Sequence, residues 1–211
     1  MASSGLCPRW NQQRRRGLYE ILVTDEYEHV GDLGSPKFII DGGANIGFAS
    51  AFLLNRYPAA RVVAVEPDAE TIELCRRNLA SFGDRVITVQ GAIWNRSGGL
   101  FLEPSNQEWT ATIRSARDGE TASIQASTMP DLIALGGGLR VDLLKLDVEG
   151  SEREIFGPEA NEWLPSVENI VIELHGPDCM ERFLSVMSGY DSQMSNRDSV
   201  YVCRNIKPLA L

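Results

Sequence analysis

Two short apolar runs in the second half of the chain end in side chains that can exchange protons. Residues 141–146 run into Asp147 and Glu149, and residues 170–174 run into His175. Side chains alternate across a β-strand, so Lys145 shares a face with Asp147, and Glu173 shares one with His175. If the two runs are parallel neighbours, equal spacing sets Lys145 beside Glu173 and Asp147 beside His175. The inner pair would then be a buried ion pair, which a lysine in a central strand requires because burying an unpaired charge is very costly. The outer pair would form a reactive rim with Glu149. A hydroxyl is too weak an acid to attack carbon unaided, and His175, oriented by Asp147, is the base expected to take its proton. The plainer alternative is a histidine satisfied by a nearby carbonyl. Glu154 reads as structural, since Ser151 and Glu154 have the spacing of a helix capping box. Asp147, Glu149, Glu173 and His175 would also suffice for one divalent cation. That metal reading is possible but not favoured, because Lys145 is expected to engage Glu173.

A second constellation lies upstream. Residues 37–47, KFIIDGGANIG, join a short apolar strand to an acidic residue and a glycine-rich turn that opens a helix, and a further apolar run, 61–65, ends in Glu66. Strand, tight loop, helix, strand and terminal carboxylate form the nucleotide-cofactor half of a doubly wound sheet. Gly42, Ala44 and Gly47 nearly match a dinucleotide fingerprint, whereas Asp41, Gly43, Asn45 and Gly47 match a methyl-donor pattern. Charge separates the two. A pyrophosphate at the helix start would be repelled by Asp41, while S-adenosylmethionine carries a sulfonium and an ammonium and no phosphate. Glu66 can accept ribose hydroxyls from either ligand. Gly91 and Ala92, past the third strand, lie where an adenine edge would be read. Asn45 can either touch ligand or bond its own backbone in the turn. Capping alone would be the structural explanation of Asp41 and Glu66.

The elements that must position these groups alternate. Residues 46–57 read as a helix stopped by Pro58. Asp68 can cap the next helix, whose stripe Ile72, Cys75, Leu79 and Phe82 faces the sheet before Gly83 ends it. Residues 85–89, 141–146 and 170–174 are the later strands, and a helix between Pro177 and Ser188 is expected to bury Met180, Phe183, Leu184 and Met187. Residues 190–194 and 199–204 read as a hairpin joined by 195–198. Residues 95–134 look like a β-rich insertion over the sheet rim, a common place for substrate contacts. The expected fold is α/β, a seven-stranded, mostly parallel sheet with a reversed carboxyl-terminal hairpin, in a single domain over 18–211 behind a tail of 1–17. Residues 18–30 fit helix and strand templates equally.

With 211 residues, 43% of them hydrophobic, the chain can bury a substantial core. Its formal charge of −9 disfavours nucleic acid or an anionic membrane as partner and suits a small-molecule substrate. No apolar stretch approaches the roughly 20 residues of a membrane span, and residues 1–10 lack the apolar centre of a signal peptide, so a cytoplasmic location is expected. Four scattered cysteines without a C-x-x-C pair speak against a disulfide framework or structural zinc.

The runs IIDGGANIGFAS (39–50), VVAVEPDAE (62–70), VDLLKLDVEGSE (141–152) and IVIELH (170–175) together resemble the FkbM-type S-adenosylmethionine-dependent methyltransferases over about residues 18–204. The resemblance implies a Rossmann-like class I methyltransferase that methylates a hydroxyl, typically on natural products or sugars. It places Asp41, Gly43, Asn45, Gly47 and Glu66 at the donor and Asp147, Glu149 and His175 near the acceptor. Acceptor recognition then falls to the insertion and the amino-terminal segment, with Trp94, Asn106 and Trp109 as candidates and ordinary packing as the equal alternative for each tryptophan. Rival readings are an N-methyltransferase of the same fold, a nicotinamide-dependent oxidoreductase and a non-catalytic donor-binding module.

Overall fold

The computed structural model describes residues 31–104, 111–117 and 119–209. The expected tail, the ambiguous segment 18–30, Asn106 and Trp109 lie outside the described residues. The first strand, β1 (Phe38–Gly42), is buried at all five positions, as a parallel central strand must be. It leads to α1 (Phe48–Arg56), β2 (Arg61–Glu66) and α2 (Ala69–Leu79). Asp68 caps α2 as expected, its Oδ1 accepting from the Thr71 N–H at 2.8 Å. A 3-10 turn, Ala80–Arg85, then delivers the chain to β3 (Val86–Gln90).

Next come β4 (Ala92–Ile93), β5 (Gly99–Pro104), β6 (Ala111–Ser115), β7 (Ile124–Ser127) and α3 (Met129–Leu135). The four strands make a separate small sheet in the order β4-β7-β5-β6. α3 was not expected from apolar spacing. Its start is fixed instead by a capping box between Thr128 and Asp131, with proline in the first turn. The chain returns to the main sheet with β8 (Leu143–Leu146), followed by two short helices, α4 (Glu152–Ile155) and α5 (Ala160–Trp163). It finishes with β9 (Ile170–Glu173), α6 (Pro177–Met187), β10 (Tyr190–Arg197) and β11 (Val200–Pro208).

The main sheet has seven strands in the order β10-β11-β9-β8-β1-β2-β3. β11 runs antiparallel to both its neighbours, and the strands from β3 to β9 pair in parallel, which is the expected architecture. Alternate residues feed two cores. Ile40, Val63, Leu144 and Ile172 pack on one side with Phe156, Trp163 and Phe183. Ile39, Val62, Leu143 and Val171 pack on the other with Leu53, Ile72, Cys75 and Leu79. Cys75 is core, and burial pushes its thiol up to about 12. Among the described residues no helix is long and apolar enough to cross a membrane.

Three expectations change. In β9 the partner of Lys145 is Val171, not Glu173, so the pairing is two residues away from the expected register. An even shift keeps every side chain on its face, and apolar alternation therefore cannot distinguish the two registers. The Lys145 ion-pair partner lies on the other neighbour: Nζ is 3.1 Å from Asp41 Oδ1, directly opposite in β1. Secondly, α6 buries Cys179, Phe183 and Met187, whereas Met180 and Leu184 remain 40% and 37% exposed. The helix carries a wider apolar stripe than the sheet covers. Thirdly, the terminal hairpin turns tightly at Asp198 and Ser199, with Asp198 in the left-handed region at φ 53°. The outer strand β10 is mostly exposed and polar, so no hydrophobic signal marks its end.

Asp41 and Lys145 are both buried, and the pair is extensively hydrogen-bonded. Ser50 Oγ donates to Asp41 Oδ2 at 2.6 Å, and Lys145 Nζ donates to the Gly43 carbonyl at 2.9 Å. Removing one partner of a buried pair leaves an uncompensated charge. Lys145→Met is expected to lower the unfolding free energy by about 3–5 kcal/mol, much of it recovered when Asp41→Leu is added. Urea titration of both variants checks this, and a single variant as stable as the parent would contradict it.

Candidate active site

The order of the main sheet reverses between β1 and β8, and the glycine loop leaves β1 at that point. Gly43 has φ 72°, and a Cβ placed there would lie 1.7 Å from the Asp147 carbonyl oxygen. Only glycine lets the loop rest on the end of β8. Gly43 and Ala44 then donate their N–H groups to the Val65 carbonyl, tying the loop to β2. Gly47, at φ 87°, opens α1 where a Cβ would press on Cys75 Sγ at 2.9 Å. Its role is to let the start of α1 pack closely against α2.

Glu66 closes the other side of the loop. Its Oε2 accepts from the Asn45 N–H and its Oε1 from the Asp68 N–H, each at 3.0 Å. Burial pushes its carboxyl up to about 7, against the opposing pull of those two backbone donors. Asn45, at φ 50°, uses its side chain to accept from the next backbone N–H, that of Ile46, at 2.8 Å. The in-turn alternative therefore describes its side chain.

A cleft of about 220 Å³ lies over these groups. Of the residues singled out in the sequence, Gly43, Asn45, Glu66, Gly91, Ala92, Asp147 and Glu149 line it. Asp41 does not: it is wholly buried beneath the loop and holds Lys145. Trp94 is buried in the core of the small sheet with Leu100 and Ile124, so it packs. Ile113, from β6, reaches the cleft and was not anticipated, because nothing in sequence tells which isolated apolar residue of a small sheet faces the larger one.

The reactive rim follows β8 and β9. Glu149 sits at φ 51° and Gly150 at φ 95°, a turn conformation that a glutamate adopts only when its surroundings hold it there. His175 Nδ1 shares a 2.6 Å hydrogen bond with Glu152 Oε1, and Glu152 is wholly buried. Nε2 faces three more carboxylates: Glu149 Oε2 at 3.6 Å, Asp147 Oδ1 at 3.8 Å and Glu173 Oε1 at 3.9 Å. The ring is thus oriented by Glu152, and not by Asp147 as expected. The hydrogen bond to Glu152 pushes the imidazole up to about 9, and desolvation raises the Glu149 carboxyl. Sequence reasoning missed Glu152 because Ser151 and Glu154 read as a capping box. Ser151 makes no side-chain cap bond, and Glu154 instead meets Arg153 at 3.1 Å. Ligand atoms of Asp147, Glu149 and His175 all lie within 4.8 Å of one another, a separation one cation could bridge.

The arrangement is a cleft lined by backbone and walled by carboxylates that favour positive charge, beside a cluster able to accept or release a proton. Comparison with known proteins agrees. The FkbM methyltransferase domain matches residues 41–193. The methyltransferase sdnD of Sordaria araneosa is 29% identical over 195 residues, covering 76% of this chain and 74% of that protein. The 31-O-demethyl-FK506 methyltransferase FkbM of Streptomyces tacrolimicus is 27% identical over 195 residues, covering 76% and 75%. In fold, the precorrin-6y C5,15-methyltransferase of Geobacter metallireducens is similar with a TM-score of 0.51, 15% identity and coverage of 86% and 87%.

The contact of Gly43 with β8 joins loop and rim. Gly43→Ala adds left-handed strain and a clash with backbone, together at least about 2 kcal/mol, and is expected to lower the urea midpoint accordingly. An unchanged midpoint would show that the loop does not bear on β8.

Proposed function

The chain belongs to the FkbM methyltransferase family, and we propose that it methylates a hydroxyl of a small molecule with S-adenosylmethionine as donor. The observation that carries this reading is the shared wall: Asp147 and Glu149 line the same cleft as the glycine loop and Glu66. Proton-accepting groups therefore stand where a transferred group would be presented. The Streptomyces relative, a 31-O-demethyl-FK506 methyltransferase, supports oxygen as acceptor. The acidic wall of Glu66, Asp68, Asp147 and Glu149 opposes the pyrophosphate of a nicotinamide coenzyme and attracts a sulfonium and an ammonium.

Gly43 and Asn45 would hold the donor with their backbone, Glu66 its ribose hydroxyls, and Gly91 and Ala92 its adenine. The donor supplies an electrophilic methyl on a positively charged sulfur, and neutralisation of that charge drives the transfer. The chain's own residues align the acceptor oxygen in line with the breaking bond, which replaces a bimolecular encounter by an effectively unimolecular step. A carboxylate of Asp147 or Glu149 takes up the hydroxyl proton as the C–O bond forms, beside a His175 imidazole held protonated by its hydrogen bond to Glu152.

Transfer of labelled methyl to a panel of hydroxyl compounds, with amines alongside, tests the reading. Asp147→Ala and His175→Ala are expected to bind donor within about twofold of the parent and to lose about 10²–10⁴ in turnover. Full turnover in both would remove the rim from the mechanism, and transfer to amines alone would remove the hydroxyl. Glu66 supplies a pH signature. Its folded carboxyl titrates near 7, well above the unfolded value of 4.5, so protonation is favoured in the fold and its contribution to stability declines as pH rises between those values. Ionised Glu66 is the better acceptor for ribose, so donor affinity is expected to rise with pH through about 7. The rise should vanish in Glu66→Gln, as calorimetric titration would show.

A further inference from the structure

We infer that Asp147, Glu149 and His175, with Glu173 at their edge, form a site for one redox-inert divalent cation of the magnesium or manganese type. The cation would take the acceptor hydroxyl as a further ligand. The separations come first. His175 Nε2 stands 3.6, 3.8 and 3.9 Å from oxygens of Glu149, Asp147 and Glu173. These distances are too long for hydrogen bonds, which close at about 3.2 Å. Two ligands each about 2.1–2.4 Å from one cation stand about 3.0–3.4 Å apart at a right angle and farther at wider angles, so one cation can bridge these groups.

The histidine is built for the task. Glu152, wholly buried, holds Nδ1 at 2.6 Å, so Nε2 is the nitrogen turned to the carboxylates. A carboxylate behind a ring whose other nitrogen faces a ligand set is the arrangement that fixes a metal-binding imidazole. Charge argues the same way. The carboxylates of Glu152, Glu149, Asp147 and Glu173 all converge on one ring, an excess of negative charge that a cation would offset.

The reason against a metal was that Lys145 would occupy Glu173. The structure gives Lys145 to Asp41 instead and sets Val171 beside it, while Glu173 reaches the rim. Carboxylate oxygens with a single imidazole suit a hard cation better than a thiolate-seeking one. Two of the ligands also line the donor cleft, so the cation would stand beside the reacting atoms. A coordinated hydroxyl is a stronger acid. Its oxygen forms the new bond to carbon as the sulfur–carbon bond breaks, the sulfur keeps the electron pair, the proton leaves to a carboxylate or water, and the cation is unchanged.

The catalytic use of the cation rests on the proposed hydroxyl methylation, but its binding does not, and the test separates them. The full chain, stripped with a chelator, is titrated with Mn²⁺ alone while the resonance signal of free Mn²⁺ is followed. About one equivalent per chain is expected to bind, as for a single structured site. Asp147→Asn and His175→Ala should each weaken binding at least about tenfold, and Glu152→Gln about 10–100-fold. Glu70→Gln, on the exposed first turn of α2, should leave it unchanged. Circular dichroism confirms the fold of each variant, with Glu149→Gln replacing any that fails. No stoichiometric binding, or equal binding in all variants, overturns the site. Stripped enzyme that transfers methyl to its hydroxyl acceptor at full rate overturns the catalytic use. Specific Mn²⁺ binding without transfer to any hydroxyl upholds the site and overturns the methylation reading instead.

Discussion

The buried contact between Asp41 and Lys145 is the constraint on which the rest of the site depends. It joins the two strands that flank the reversal of the sheet, β1 and β8, at the level where the glycine loop departs. Lys145 donates onward to the carbonyls of Gly42 and Gly43, and Asp41 is held by Ser50 of α1. Strand, strand, loop and helix are therefore fastened at one point. A charged pair in a core contributes little net stability against apolar residues of the same size, but it tolerates few other arrangements. What it contributes here is geometry.

From that fixed point the two halves of the site follow. Gly43 presses on the Asp147 carbonyl, so the floor of the cleft and the start of the carboxylate rim are one surface. Any shift in β8 would move both together. The rim is held from behind by a second buried acid, Glu152, whose hydrogen bond sets the plane of His175. Two buried carboxylates, Asp41 and Glu152, thus face no solvent and position the groups that do. Glu66 and Glu149 remain beside the cleft, both with carboxyls raised by burial.

Much of this was legible in the residues. The all-apolar β1 with a single aspartate, the glycine turn, the strand-end Glu66 and the Asp68 cap were read correctly, because each is a local consequence of backbone sterics or of one short hydrogen bond. A seven-stranded, mostly parallel sheet with one reversed strand followed from alternating strands and helices and the terminal hairpin, whereas the strand order did not. The misreadings share a cause. Lys145 was given to Glu173 because a register shift of two changes no face, and Met180 and Leu184 were buried because an apolar stripe does not state how much of it a sheet can cover. Ser151 and Glu154 satisfied a capping pattern that the backbone did not use.

The sequence alone determined the strands of the main sheet and the three longest helices, that the main sheet is doubly wound, and that glycines and carboxylates gather at its carboxyl edge. It could do so because periodicity, turn chemistry and caps act over a few neighbouring residues. Tertiary structure alone decided which acid each cation meets: Asp41 for Lys145, and Glu152 for Nδ1 of His175, with Asp147, Glu149 and Glu173 left to face Nε2. Those partners lie on different elements, and only the packed sheet brings them within the few ångströms over which charges in a low-dielectric interior choose one another.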